Sequence, residues 1–272
     1  MRFDDLDQRL RLYETAYDFC VPLGNYIVVR LDGRGFTRLT KKVWQFAAPF
    51  DIAFRDLMAH TTRHLMQCGF HVIYAYSQSD EISLLFHLDE QTFKRKSRKI
   101  ISILAAEASA HFSLAHGQAA TFDARISILP NSSLVEEYFL WRQEDAHRNA
   151  LNAHCYWLLR QQGQTAYDAA ATLRPYSRQQ KHDLLFQHGI NFNDVPLWQK
   201  RGFALYWQTQ AKTGFNPQTH TPTHTTRRVL HIDFHLPCQE DYRLFLHSVQ
   251  SSLWTHLPPS PPPKPAKACI TP

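Results

Sequence analysis

No stretch of this 272-residue chain approaches the ~18–20 consecutive apolar residues that a bilayer-spanning helix requires. Its opening, MRFDDLDQRLRLYE, is charged from the start and cannot supply the apolar core of a signal peptide. No Cys-x-x-Cys pair occurs. The five cysteines (Cys20, Cys68, Cys155, Cys238, Cys269) are scattered and odd in number, which speaks against a disulfide framework and for reduced, mostly packing thiols. A soluble cytoplasmic protein with no membrane partner is the expectation. The phosphate-cradling patterns GxxxxGK-Ser/Thr and GxGxxG are missing as well, which removes P-loop and Rossmann enzymes. Without a Gly-x-Ser-x-Gly elbow nothing argues for a hydrolase triad. Nor does the chain repeat itself.

Apolar residues at 44% and aromatics at 13% are enough for a buried core in one large domain or two small ones. The formal charge is +6 and the pI near 9.1, with sixteen histidines in reserve. That balance leans toward a polyanionic partner, since each Lys or Arg set against a phosphate releases a condensed counterion.

Residues 4–18 place Leu6, Leu10, Leu12, Tyr13 and Tyr17 among charges at helical spacing and read as an amphipathic helix. Residues 26–31, rich in β-branched side chains and bounded by Gly24 and Gly33, read as a buried strand. Pro49 leads into a helix over about 51–68, with Asp51 placed to cap it and Gly69 to stop it. Segments 70–77 and 82–87 are short strands around Gln78–Glu81, close enough only for a hairpin. A long helix over roughly 91–115 opens with FKRKSRK, and 120–129 reads as a fourth strand. The order strand–helix–strand–strand–helix–strand is the split βαβ, ferredoxin-like unit of polymerase and nucleotide-cyclase palms. It is an α+β arrangement that sets helices on one face of an antiparallel sheet and leaves the other free for a substrate. Residues 131–188 are then mostly helical, with Ser132 or Ser133 as cap and breaks at Gly163 and Pro175. Segments 201–208 and 229–236 read as strands on either side of a polar, mobile loop, GFNPQTHTPTHTTRR. The division is a palm-like catalytic domain over 1–130, a C-terminal region of helices and strands over 131–256, and a disordered Pro-rich tail over 257–272.

The chemistry gathers at two places on this scaffold. YIVVRLDG ends a strand on Asp32, and YSQSDEISLLF puts Asp80 and Glu81 in the hairpin turn some fifty residues later. A lone carboxylate at a strand end can simply cap a turn, and Ser79-Asp80-Glu81 alone is an ordinary hairpin turn. Brought to one sheet edge they repel one another unless a divalent cation neutralises them, and the common use of such a cluster is to hold two Mg²⁺ ions about 3.5–4 Å apart for displacement at phosphorus. Gly33 beside Asp32 lets backbone approach a ligand and offer its carbonyl as a hard oxygen donor. The run Lys94, Arg95, Lys96, Arg98, Lys99 opposes the dipole of the helix it opens, a conflict that a triphosphate or an RNA backbone would relieve, with Lys96 and Lys99 the favoured contacts. His60 and His64 on one helix, and His220 and His224 in the polar loop, lack the partners of a zinc site and are expected to be ordinary histidines. His147, Arg148 and Asn149 are placed to hydrogen-bond phosphates or bases of an RNA.

Six blocks in order carry a resemblance: RLDGRGF (30–36), YSQSDEISLLF (76–86), FKRKSRK (93–99), FDARISILPN (122–131), WRQEDAHRNAL (141–151) and KHDLLFQHGINFND (181–194). Over roughly residues 5–208 the sequence resembles the tRNA-His guanylyltransferase family. The resemblance implies a palm-like nucleotidyltransferase that adds nucleotides in the 3′-to-5′ direction to the 5′ end of a tRNA. It implies metal ligation by Asp32, the Gly33 carbonyl and Asp80, with Glu81 beside them. It also implies an ATP and GTP site from Asp32, Gly33, Arg34, Gly35, Phe36, Thr37, Ser79 and Asp80, triphosphate contacts from Lys96, Lys99 and Lys181, and a tetrameric assembly. In the family the tRNA 5′-phosphate is first adenylylated by ATP. The 3′-hydroxyl of a GTP then attacks the activated phosphate, and the pyrophosphate carried by the added GTP is removed last.

The chain departs from the eukaryotic pattern at Thr37, where the family has His, and at Ala48-Pro49, where it has Lys-Pro. It departs again in the tracts His147–Ala150 and Lys181-His182-Asp183. These changes resemble a bacterial-like branch, for which the family implies templated repair of shortened tRNA 5′ ends. A non-catalytic RNA-binding protein on a palm fold is the alternative of another class. Intact Asp32, Asp80 and Glu81 argue against it, because unneutralised carboxylates beside RNA would only weaken binding. A palm-type nucleotide cyclase is a third possibility, and the basic charge and the helical block over 131–188 argue against it.

Overall fold

The computed structural model describes residues 2–216 and 221–254. It begins with helix α1 (Phe3–Thr15), whose apolar stripe meets nothing: none of its residues is buried. β1 (Tyr26–Gly33) follows, with Ile27, Val28, Val29 and Leu31 all buried, so this strand is covered on both faces. A short helix α2 (Phe36–Arg38) runs into a wide turn over Leu39–Val43. Asp51 then caps α3 (Ile52–Leu65) by accepting the N–H groups of Ala53 and Phe54. The hairpin of β2 (Val72–Gln78) and β3 (Glu81–Phe86) comes next, then α4 (Ser97–His116) and β4 (Phe122–Leu129). The long helix α5 (Ser132–Gln161) is capped by Asn131, not by Ser132 or Ser133, because the Asn side chain accepts the Leu134 N–H. Shorter helices α6 (Ala166–Leu173), α7 (Arg178–Gln187) and α8 (Leu197–Arg201) pack against α5. β5 (Phe203–Asn216), β6 (Thr221–Asp233) and α9 (Gln239–Trp254) complete the described chain, and sequence reasoning had not found α9.

All six strands share one sheet, in the order β4-β1-β3-β2-β5-β6, and neighbours are antiparallel throughout. The C-terminal region therefore extends the palm sheet by two strands. Odd-numbered residues of β1 (Ile27, Val29, Leu31) join Met58, Leu65, Leu104 and Phe112 from α3 and α4 in one core. Val28 joins Tyr74, Tyr138, Phe139 and Tyr242 from the hairpin, α5 and α9 in a second core on the opposite face. The expectation of a free second face is thus corrected: α5 and α9 cover its middle, because Val28, Tyr74, Tyr76 and Leu85 make that face as apolar as the first. What stays open is the end where β1 and the hairpin turn meet. Among the described residues no helix is long and apolar enough to cross a membrane.

Two further corrections concern charge and loops. FKRKSRK does not open the long helix. Phe93, Lys94 and Arg95 turn through the left-handed region (φ 54°, 53° and 57°), and α4 starts only at Ser97. That turn drives the Arg95 guanidinium inward, where it is 2% exposed and donates to the carbonyls of Val21, Pro22, Asn25, Leu88 and Glu90 at 2.6–3.2 Å. Arg95 is a structural staple and not a phosphate contact. The polar loop over 214–228 is largely strand: β5 and β6 pair from Ala204↔Asp233 to Asn216↔Thr221, as a run of threonines favours extended backbone. His220 and the tail over 257–272 lie outside the described residues, as does the side chain of His224.

Replacing Arg95 with Met should remove five hydrogen bonds to buried carbonyls and cost about 3–5 kcal/mol. Denaturant titration reads this directly, and a loss below about 1 kcal/mol would show that the staple is dispensable.

Candidate active site

Antiparallel register places Asp32 opposite Glu81 of β3 on one side and opposite Asp123 of β4 on the other. Two residues back, Arg30 stands between Ser83 and Arg125. Side chains two apart share a face, so Arg30 and Asp32 look to the same side as Val28, the side that α5 covers. Asp80 enters from the hairpin turn. Its carbonyl accepts the Gly33 N–H at 3.1 Å, which ties the turn to the end of β1. Ser79 closes the turn at φ 54° and donates its hydroxyl to Asp80 Oδ1 at 3.1 Å, while Ser77 Oγ donates to the Glu81 carbonyl at 3.0 Å.

Arginines supply the counter-charge. Arg30 Nη2 donates to Asp32 Oδ2 at 3.3 Å and to the Glu81 carboxylate. Arg125 lies 3.6 Å from both Asp32 and Asp123. Arg142 reaches in from α5, 3.8 Å from Glu81 and 3.7 Å from Asp145, with its guanidinium centred 3.5 Å from the Trp141 ring centroid. Even so, burial pushes the Asp80 carboxyl up to about 6, and the charges of Asp32 and Glu81 add to that push. Burial likewise raises Glu81; Arg30 pulls it down and Asp32 pushes it up. Carboxyls that hold their protons this strongly gain most from a bound cation. Among the described residues no three His, Cys, Asp or Glu side chains form a ready cage for an ion. Here the cause is visible, because Arg30 occupies Asp32 and Glu81 together. The donor set itself, three carboxylates with a glycine carbonyl beside them, fits a hard divalent cation.

A cavity of ≈ 290 Å³ opens beside this row, between the hairpin turn, α2, the loop before α3, and α5. Asp80, Glu81, Arg142 and Asn149 line one side, and Phe46, Ala48, Pro49, Phe50 and Trp198 line apolar walls. Asp51 keeps the loop in place by also accepting the Ala47 N–H at 2.8 Å. Gly33 is required by close approach, since a Cβ there would meet the Phe36 ring at 2.4 Å. Phe36 is buried among Trp44, Phe54, Phe112 and Phe122, so the motif that carries Asp32 is keyed into the first core.

The structure brings together Asp32, Gly33, Asp80 and Glu81, with Phe36, Thr37, Ser79 and Asn149 on the cavity wall. Arg34 and Gly35 form the exposed turn beyond β1, with Arg34 N donating to the Thr121 carbonyl. Lys96 and Lys99 stand elsewhere. Lys96 Nζ pairs with Asp18 at 2.5 Å beside Arg98, and these two cations hold the Asp18 carboxyl down at about 2. Their turn is stapled to Asn25, so they flank the start of β1, roughly 20 Å along the strand from Asp32. Within one chain they do not reach the carboxylates. Lys181 of α7 donates to Asn152 Oδ1 of α5 at 2.8 Å, and neither residue lines the cavity. His147 faces Arg178 and the edge of Phe192, and Arg148 is exposed. His64 pairs with Glu107 at 2.7 Å and stacks on His111.

Sequence reasoning missed Arg30, Arg125, Asp123, Arg142 and Asp145. The alternation Arg30-Leu31-Asp32, matched by Asp123-Ala124-Arg125, was a legible signal that each carboxylate shares its strand face with an arginine. Arg142 gave none, because its place depends on how α5 crosses the sheet.

A family model described as tRNAHis guanylyltransferase matches residues 7–130, and one described as Thg1 C terminal domain matches residues 133–233. A Mus musculus protein named probable tRNA(His) guanylyltransferase is 31% identical over 202 residues, covering 70% of this chain and 67% of that one. A longer relative, tRNA(His) guanylyltransferase 1 of Arabidopsis thaliana, is 28% identical, and the match covers 76% of this chain but only 38% of that protein. Among solved structures, a bacterial tRNA(His) guanylyltransferase (Thg1)-like protein in complex with ATP superposes with a TM-score of 0.70 at 28% identity, covering 90% of this chain and 98% of that one. A bacterial structure of the same description in complex with GTP gives 0.66 at 29%, covering 91% and 99%.

Arg30→Ala should lower the stability of the metal-free protein by about 1–3 kcal/mol, because Asp32 and Glu81 lose their shared donor. Added Mg²⁺ should then raise its melting temperature more than it raises that of the wild type. Equal Mg²⁺-induced shifts in the two proteins would dissociate Arg30 from the cation site.

Proposed function

This chain belongs to the tRNA-His guanylyltransferase family, and from that membership we propose that it is a nucleotidyltransferase lengthening the 5′ end of a tRNA by 3′-to-5′ addition. The observation that carries the proposal is the row Glu81–Asp32 with Asp80 at its end, at the mouth of the ≈ 290 Å³ cavity. ATP and GTP are the proposed nucleotides. The cavity is wide enough for a purine, and its apolar walls at Phe46, Ala48, Pro49 and Phe50 suit a base face. Bound Mg²⁺, two ions in this reading, would lower the pKa of the attacking hydroxyl and offset charge on the triphosphate. Asp32, Asp80 and the Gly33 carbonyl would hold it, with Glu81 beside them.

The chain's own residues have a definite part in this scheme. Arg30 and Arg142 neutralise the carboxylates while the site waits, and each becomes available to phosphate oxygens once a cation takes over that duty. Asp51 holds the 47–51 loop at the position where it can border a base. Trp198 and Phe50 keep water from one side of the cavity. No side-chain nucleophile is required. In the first step the tRNA 5′-phosphate attacks the α-phosphorus of ATP and expels pyrophosphate. In the second the GTP 3′-hydroxyl attacks the activated 5′-phosphorus, forms the new bond, and releases AMP. Removal of the pyrophosphate carried by the added GTP completes the cycle.

Templated repair of shortened tRNAs in general is the second reading. It is favoured by Thr37 and Ala48-Pro49, where the eukaryotic pattern has His and Lys-Pro, and by coverage of nearly the whole of a bacterial Thg1-like chain. Residence in a reducing cytoplasm and assembly into a homotetramer belong to the same proposal. Free thiols at Cys20, Cys68, Cys155 and Cys238 support the first, and the exposed Leu6, Leu10 and Tyr13 of α1 support the second.

Asp32→Ala and Asp80→Ala should each reduce incorporation of labelled GMP by at least about 10³-fold, with tRNA binding within about twofold of wild type. Incorporation at the wild-type rate by either variant would remove the metal assignment. Parallel assays on full-length tRNA-His and on a 5′-shortened non-His tRNA separate the two readings by which RNA is extended.

A further inference from the structure

β2 carries two buried tyrosines on the face that α5 covers. Tyr74 and Tyr76 are two residues apart, so strand alternation turns both the same way, and both belong to the core of that face. They are 0% and 3% exposed. Their hydroxyls fare differently. Tyr74 Oη shares a hydrogen bond of 2.7 Å with Tyr242 Oη of α9. Tyr76 Oη has no partner among the described residues. A buried hydroxyl in that state has given up its hydrogen bonds to water and recovered nothing, and a phenylalanine would fill the same space without that cost.

The fold makes room for this hydroxyl. Gly202, between α8 and β5, turns at φ 72°, and a Cβ there would lie 2.8 Å from Tyr76 Oη and 2.5 Å from the Ser77 carbonyl. Tyr76 lines the ≈ 290 Å³ cavity, and Tyr74 does not. A second stranded atom borders the same space. Arg142 is 6% exposed and lines the cavity, and its Nε also has no partner among the described residues. Its Nη1 lies 3.8 Å from Glu81 and 3.7 Å from Asp145. The Tyr76 phenol is within electrostatic reach of Glu81, Arg142 and Asp145.

Those neighbours narrow the class of ligand group. Two carboxylates near the phenol disfavour a phosphate there, and the guanidinium disfavours a cation. A neutral hydroxyl suits them all, because it can accept from Tyr76 Oη–H and Arg142 Nε–H while donating to Asp145. In a nucleotide such a group belongs to the sugar. Phosphates directed to Asp32 and Asp80, with a base against Phe46 and Pro49, leave the sugar between them. We propose that Tyr76 is a specificity-determining residue whose hydroxyl, with Arg142 Nε and Asp145, holds the 2′-hydroxyl of a nucleoside triphosphate in the cavity and so favours ribonucleotides over 2′-deoxyribonucleotides. The 3′-hydroxyl, the attacking group of the second step, is left free. This deepens the nucleotidyltransferase reading and rests on it for the presence of a nucleotide.

The test uses the whole chain with Mg²⁺ and measures dissociation constants for GTP and 2′-deoxy-GTP in wild type, Tyr76→Phe and Tyr74→Phe. Wild type should bind GTP at least about fivefold more tightly than 2′-deoxy-GTP. Tyr76→Phe should bring the two within about twofold of each other by weakening GTP alone. The same substitution should raise the melting temperature of the nucleotide-free protein, because it deletes a stranded hydroxyl. Tyr74→Phe, which strands Tyr242 Oη, should lower the melting temperature and keep the preference for GTP. Equal weakening of both nucleotides by Tyr76→Phe overturns the proposal. An unchanged ratio with a lowered melting temperature would assign the hydroxyl a structural partner, and overturns it too. RNA carries the same hydroxyl, so a 5′-phosphorylated tRNA lacking the 2′-hydroxyl of its first nucleotide is compared with the all-ribose form. If Tyr76→Phe abolishes a preference between those RNAs and leaves the nucleotide ratio intact, the subsite belongs to the RNA and the proposal falls. Wild type that binds neither nucleotide removes the function reading and this one with it, whereas wild type that binds both alike removes this one alone. Protein that tells the two nucleotides apart yet adds none to tRNA fails the function reading and leaves this one standing.

Discussion

The constraint on which everything else turns is a row of like charges laid across three adjacent strands. Register forces Asp123, Asp32 and Glu81 abreast, with Asp80 at the end of the row. Unit charges about 5.5 Å apart repel by on the order of 3 kcal/mol at an effective dielectric constant of 20, so such a row persists only where the backbone leaves it no choice. β1 leaves none. It is hydrogen-bonded on both edges and buried on both faces by Ile27, Val28, Val29 and Leu31. The Gly33–Asp80 hydrogen bond then locks the hairpin turn to its end. Arg30 and Arg125, themselves side by side, form the next row and relieve the first one diagonally. A rigid scaffold thus holds electrostatic tension at one edge, and a cation is the agent best able to discharge it.

That tension is positioned by packing on both sides of the sheet. Phe36, four residues after Asp32, sits in a knot of aromatic rings from α3, α4 and β4, so the loop that follows the carboxylate cannot drift. On the other side α5 starts over the beginning of β1, packs Val135, Tyr138 and Phe139 against it, and then carries Arg142, Asp145 and Asn149 to the cavity. One helix of thirty residues serves as both core and wall. At the far end of β1, Arg95 gathers five carbonyls that no regular structure satisfies, which fixes where the strand begins. Cations near phosphate chemistry invite a ligand reading, yet this one is spent on the backbone.

Much of this was legible in the chain. The strand ending on Asp32, the helix capped by Asp51 and the hairpin around Asp80 follow from alternation, capping chemistry and spacing, all local properties. The cation run misled because its charges were read as a helical face. A left-handed turn at Phe93–Arg95, which periodicity does not register, sends Arg95 inward and pairs Lys96 and Arg98 with Asp18 seventy-eight and eighty residues away. The ribbon was mistaken for a loop for the opposite reason. Its threonines and glutamines carry no apolar alternation, since neither of its outer faces meets a core, and hydrophobic period is the signal by which strands are read. Arg142 was invisible because only the crossing of α5 over the sheet sets it beside Glu81.

Those two misreadings bear on how the molecule distributes its positive charge. Three groups of cations in the folded chain differ in what lies beneath them. Arg30, Arg125 and Arg142 stand over carboxylates and tune a site. Lys94–Lys99 lie over unsatisfied carbonyls and Asp18 and are largely consumed by structure. Lys212 and Arg227 stand exposed on strands that pair with each other, Arg227 donating to Gln210 Oε1. Charge of the third kind is free to attract a polyanion at no cost to the fold.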